Sequence, residues 1–260
     1  MRRVRTIAVS VMFLVSALSL SYEKARATGV YEDAVAQAGF LTARHNSAVR
    51  SRLIVVDAET TEGSLIVLDV DFAIRGFLLL EFEQPFVTAA VDGREIESDM
   101  GDLRVKARFR LFGRPGKQLS LLFDIGTGTG SADVFPFSSG SLETAGAIGW
   151  VDTIGVFQYW AMAGVQSVRR RPDNIESEFG VVDFARASAG IAVAARDFSL
   201  RLGTSVLRFS ESTVRDIYFG EVTWDYREHF RFFGATQVEA GRSDERISNA
   251  SAHIGMSVYF

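Results

Sequence analysis

The stretch Ser251-Ala-His-Ile-Gly-Met-Ser-Val-Tyr-Phe260 puts Ala252, Ile254, Met256, Val258 and Phe260 on alternate positions, with Ser251, His253, Gly255, Ser257 and Tyr259 between them. Successive side chains of a strand point to opposite faces, so this segment has one apolar face and one small or polar face. The same period of two returns upstream. Leu103, Val105, Ala107, Phe109 and Leu111 alternate with Arg104, Lys106, Arg108 and Arg110, and Phe198, Leu200, Leu202, Thr204 and Val206 with Ser199, Arg201, Gly203 and Ser205. About twelve such runs follow one another, at 48–59, 63–74, 77–87, 102–113, 117–128, 143–153, 156–169, 177–194, 197–209, 213–226, 229–241 and 246–260. Helical spacing is sustained nowhere along the chain.

The breaks between runs are tight near 75, 114, 154, 196 and 228 and longer near 94, 135, 173 and 243. Alternating short and longer connections with an even strand count predict an all-β fold, a transmembrane up-and-down antiparallel barrel over residues 48–260. A water-soluble sandwich is the competing fold. It would have to bury about twelve apolar faces against each other, whereas a closed barrel in lipid turns them to hydrocarbon and pairs every backbone group by closure. Trp150, Tyr159, Trp224, Tyr226 and Phe260 fall at strand ends, as expected of aromatic girdles at two membrane interfaces. Trp160 and Arg186 fit neither face of the pattern.

With 260 residues, 47% of them apolar, and only four prolines, the chain reads as one unit rather than linked domains. Residues 1–27 are expected to be a cleaved signal peptide. They carry Arg2, Arg3 and Arg5, an apolar run from Thr6 to Leu20, and small residues two apart in Ala25-Arg26-Ala27. That run is shorter than the roughly 20 residues a spanning helix requires. A short N-terminal segment, 28–47, then precedes the barrel. Without residues 1–27 the chain has 23 basic and 31 acidic side chains, an acidic excess that argues against nucleic acid as a partner. The absence of cysteine excludes disulfides and thiolate metal sites.

If apolar faces point outward, charge collects inside: Asp69 and Asp71, then Glu81 and Glu83, then Arg104, Lys106, Arg108 and Arg110, then Asp124. Acid and base ladders on neighbouring strands set opposite charges across from one another. Two readings follow, a salt-bridge network filling a narrow barrel and a polarised constriction that orients a permeating solute. Four bases against five acids leave little net field. No cofactor, metal or catalytic residue is expected. His45 precedes the first strand, His229 starts one, and His253 shares the lumenal face with Ser251 and Ser257, where it is expected to be a hydrogen-bonder rather than a catalytic base. Gly126, Gly128 and Gly130 lack the Gly-Lys-Ser/Thr of a phosphate loop and read as a strand end. They lead into a loop from Ser131 to Glu143, whose Phe135-Pro136-Phe137 is expected to fold over or into the mouth. Arg169-Arg170-Arg171 reads either as a contact for lipopolysaccharide phosphates or as a solvated turn.

The segment 251–260 also resembles the C-terminal signature of bacterial outer-membrane barrels, a final Phe260 with Val258, Met256 and Ile254 at alternate preceding positions. The resemblance implies recognition by the barrel-assembly machinery and a place in the outer membrane of a Gram-negative bacterium, among its lipid and lipopolysaccharide. Within the barrel, Phe72-Ala-Ile-Arg-Gly-Phe-Leu-Leu-Leu-Glu-Phe-Glu-Gln-Pro-Phe-Val87, Gly101-Asp-Leu-Arg-Val-Lys-Ala-Arg-Phe-Arg-Leu-Phe112 and Leu122-Phe-Asp-Ile-Gly-Thr-Gly-Thr-Gly130 resemble strands of the meta-pathway phenol degradation transporters. The likeness covers roughly residues 48–170; the first turn lacks that family's usual Gly after its aromatic and the Asp or Asn that follows. It implies a channel or passive transporter for a small, hydrophobic or aromatic solute. A lipid-modifying hydrolase and a plugged structural barrel are the alternatives.

Overall fold

The computed structural model describes residues 33–43, 46–58, 61–91, 94–95, 99–114, 116–130, 142–169, 181–209, 214–241 and 248–260. Residues 1–27 (expected to be a signal peptide), His45, the Phe135-Pro136-Phe137 loop and Arg170 and Arg171 lie outside the described residues. Period-two segments become stable strands only when each edge finds a partner, and here every long strand has one on both sides. The elements are β1 Ala48–Ala58, β2 Thr61–Ile74, β3 Leu78–Val91, β4 Arg94–Glu95, β5 Asp99–Met100, β6 Arg104–Arg114, β7 Lys117–Gly126, β8 Glu143–Ile154, β9 Phe157–Arg169, β10 Val181–Ala195, β11 Phe198–Phe209, β12 Val214–Tyr226, β13 Phe230–Gly241 and β14 Ser248–Tyr259.

Apart from the two-residue β4 and β5, which pair with the far end of β3, twelve strands form a closed antiparallel barrel. Each pairs with its neighbours in sequence, and β1 closes the ring against β14 from Ala48↔Tyr259 to Ala58↔Asn249. The connections 75–77, 155–156, 196–197 and 227–229 share one end with Gly116 and the start of β1; this is the turn end. Arg75, Arg196 and Arg227 take left-handed φ values of 48°, 53° and 58° there, the backbone sense that tight hairpin turns require. The strand expected at 102–113 begins instead at Arg104, and a bulge between Arg110 and Phe112 breaks its alternation, so Leu111 and Phe112 are both exposed.

The outer surface is apolar along strand after strand, as at Leu53, Val55, Ile66, Leu68, Phe123, Ile125, Leu202 and Ile254. Trp150, Tyr159, Trp224, Tyr226 and Phe260 also point outward, but all five lie near the turn end, where Phe198 and Phe232 pack on Trp224. They form one girdle, not the two expected. Trp160 and Arg186, which suited neither face, are both turned inward and buried.

One element was not expected from spacing. The helix α1, Ala34–Thr42, lies inside the barrel, in the segment read only as a short lead. Asp33 caps it, its carboxylate accepting from the Ala36 amide at 2.8 Å. Nine residues are too few for a helix to persist alone in water, so its stability comes from the barrel around it. Leu41 is fully buried and packs with Leu79, Leu122, Ala147, Met162, Trp160 and Phe219 in an apolar cluster at the centre. Gly149 makes that seat: a Cβ there would stand 2.4 Å from Leu41 Cδ1. Trp160 likewise lies over Gly190 and stacks on Phe219 with ring centroids 5.9 Å apart. The lumen is therefore part apolar core and part charged wall, not charged throughout.

Candidate functional site in the barrel lumen

The register sets the predicted ladders side by side. Asp69 faces Glu83 and Asp71 faces Glu81 across β2 and β3, while Glu81 and Glu83 face Lys106 and Arg104 across β3 and β6. Adjacent carboxylates repel unless cations stand between them. Lys106 Nζ supplies one, donating to Glu81 at 2.8 Å and to Glu83 at 2.7 Å. Arg104 pairs with Asp124 and with Glu143, each at 3.0 Å.

The remaining cations come from β1, which the charge pattern of the sequence did not single out. Arg50 donates to Asp71 at 2.8 Å and to Glu81. Arg52 holds Asp69 with two nitrogens, at 2.9 and 3.1 Å, and donates to Glu83 at 2.8 Å. Such forked contacts suit the planar guanidinium. The carboxylates of Asp69, Glu81 and Glu83 approach within 4.8 Å of one another, a spacing that would suit a metal ion. Arg50, Arg52 and Lys106 already supply the positive charge there, so the cluster reads as an ion-pair network.

Two predicted ladder members depart from it. Arg108, with no exposed surface, reaches the end of α1 and donates to the carbonyls of Phe40 and Ala43 at 2.7 Å each, and to that of Leu41. The last carbonyls of a helix lack intrahelical partners and carry its negative dipole end, which accounts for a guanidinium there. Arg110 lies further toward the turn end, beside Gly76.

The helix is fastened at both ends and on one flank. Arg52 donates to Asp33 at 2.8 Å, the Ala34 amide donates to Gln237 at 2.9 Å, and Arg201 donates to Thr42 Oγ1 at 2.7 Å while pairing with Glu221 at 3.3 Å. His253 bonds Ser251 at 2.9 Å and lies 4.0 Å from Asp33. Serine, histidine and aspartate are thus neighbours, but 4.0 Å exceeds hydrogen-bond reach and that Asp33 oxygen accepts from Arg52. The Ser251–His253 pair lies beside the helix start, which Arg52 and Gln237 hold. The sequence held one signal for this arrangement, an Asp immediately before a short apolar run, which is the mark of a helix N-cap.

The C-terminal residues Ile254, Met256, Val258 and Phe260 lie on the outer face, with Phe260 71% exposed and hydrogen-bonded through its amide to the Ser47 carbonyl.

No family model matches the chain, including one for the phenol degradation transporters, and no curated protein matches it by sequence. Solved structures do match in shape. The NanC porin aligns with a TM-score of 0.60 at 10% identity, over 82% of this chain and all of that one. An outer membrane channel from Pseudomonas putida F1 aligns with a TM-score of 0.59 at 11% identity, over 93% of this chain and all of that one. The translocator domain of the autotransporter NalP from Neisseria meningitidis aligns at 0.58 and 10% identity, covering 87% of this chain and 92% of that domain. At these identities the likeness is one of fold.

Proposed function

We propose that the chain is an outer-membrane barrel that serves as a narrow passive channel for a small solute. The observation that carries this reading is the pairing of an apolar outer surface with a charged, enclosed interior. Hydrocarbon accommodates the first, and closure of β1 on β14 leaves no unpaired edge in the membrane. Shape likeness to a porin and to an outer membrane channel supports it. So does the exposed Phe260 at the end of the last strand, the feature that implies delivery by the assembly machinery into a membrane of lipid and lipopolysaccharide. The charge ladders form the polar wall of the pathway.

A plugged, non-conducting barrel is the second reading, and α1 is the observation that favours it. Planar-bilayer recording of the full chain and of a variant lacking residues 33–42 separates the two. A channel passes current with the helix present. A plugged barrel passes current only without it, and silence from both overturns the channel reading. Heat-modifiable migration on a gel checks that each preparation contains closed barrels.

A further inference from the structure

The helix does not fill the lumen evenly. Ala34, Val35, Ala38, Phe40 and Leu41 belong to the central apolar cluster with β7, β8, β9 and β12. The other side of α1 presents Ala36 and Gly39, three residues apart and so neighbours on one stripe. Across from that stripe stand Arg50, Arg201, Glu221 and Arg231, on β1, β11, β12 and β13. Between the two lies a cavity of about 70 Å³. Its lining runs from Val35 to Ala43 on the helix side and includes Arg52 and Tyr259 on the wall, Tyr259 lying toward the turn rim.

We propose that this slot is the conduction path, and that water and small ions pass between α1 and the charged wall while the helix stays in place. The inference rests on the channel reading and names where its current flows. Struts keep the slot from collapsing. Arg201 reaches across it to Thr42, and Arg108 holds the helix end on the other side at Phe40 and Ala43. The wall's own charges are matched, Arg50 by Asp71, Arg201 by Glu221 and Arg231 by Asp225 at 2.6 Å. A matched wall offers hydrogen bonds to hydration water without a strong field for either sign.

Size decides the class of solute. A water's share of liquid volume is about 30 Å³, and a dry cavity of about 150 Å³ binds benzene. At about 70 Å³ the slot has room for a few waters or a small hydrated ion and is well short of the space that takes an aromatic ring. An aromatic solute, as the phenol-related resemblance implies, would pass only after α1 had left its seat.

The chain has no cysteine, so one introduced thiol can report on the slot. Gly39→Cys suits this purpose, because a Cβ at that position meets Arg201 Nη1 at 3.7 Å, an ordinary contact. Silver ions, added in nitrate buffer to the full-length Gly39→Cys channel in a planar bilayer, bind the thiol and should lower its current on the order of tenfold. Wild-type current should not change. A second variant, Ala38→Cys, puts the thiol on the packed side of α1 and should be insensitive to silver. Unchanged current in Gly39→Cys overturns the slot, whether silver reaches the thiol or not. Current that flows with the helix in place but ignores silver keeps the channel reading; current seen only after deletion of residues 33–42, or silence from that variant as well, overturns both.

Discussion

Arg108 donates to the carbonyl oxygen of Phe40 at 2.7 Å, so a strand of the barrel wall holds the C-terminal end of a helix enclosed by that wall. The same guanidinium serves Leu41 and Ala43, which makes it the main tie between β6 and α1. A hydrogen bond from a charged donor contributes about 1.5–3 kcal/mol. Arg108→Ala should therefore loosen the helix, with larger and noisier single-channel current than wild type. Arg108→Lys keeps the charge but not the fork and should fall between the two. Identical traces from all three would show that the helix is held by its packing alone.

Among the described residues, Lys106 alone pairs with both Glu81 and Glu83. Its truncation to Met leaves two buried carboxylates with less compensation, and breaking a buried pair from one side costs about 3–5 kcal/mol. Lys106→Met should unfold at clearly lower urea concentration, read by loss of heat-modifiable migration. The triple variant Lys106→Met, Glu81→Gln, Glu83→Gln should regain part of that loss. No recovery would argue that lost contacts, not stranded charge, dominate.

Gly149 exists as glycine for the sake of Leu41. Gly149→Val requires either that Leu41 leave its seat or that β8 bend, and overpacking of this kind costs about 1–3 kcal/mol. The barrel ladder does not depend on Leu41, so the expected outcome is a closed, heat-modifiable barrel with raised conductance. A variant that fails to close would place Leu41 among the contacts the barrel needs in order to form.

Ser251 and His253 bond each other beside the helix start and are not positioned for nucleophilic attack, because Asp33 is engaged by Arg52. A fluorophosphonate probe should leave wild-type Ser251 unlabelled, and Ser251→Ala should change neither current nor closure by more than about the cost of one neutral hydrogen bond, roughly 1 kcal/mol. Stoichiometric labelling of Ser251 would revive the hydrolase reading.

The strand count and turn positions were legible because hydrocarbon outside and charged or small polar side chains inside impose a strong period of two, as in β6 and β14. Legibility failed where both faces of a strand are apolar. In β1, Leu53 and Val55 point outward while Ile54 and Val56 point into the lumen, so alternation no longer marks Arg50 and Arg52 as ladder members. Trp160 was unreadable for another reason. Its seat is made by Gly190 and Gly203, which face each other across the β10–β11 hairpin and meet Trp160 only once β9 is in register with them. The helix was missed because nine residues give too little periodicity to outweigh their surroundings. The candidate site was thus half visible: its acids and β6 bases could be read, while the β1 arginines and the helix that Arg52 holds could not.

The seam between β1 and β14 joins strands that the ribosome makes far apart in time. The segment that ends up enclosed, α1, emerges before any staves of the cask, and the stave that shuts it emerges after all the others. Closure therefore makes the helix a passenger that must board before the seam shuts or enter through a rim, and variants that weaken its moorings should slow the sealing step as well as change the sealed product.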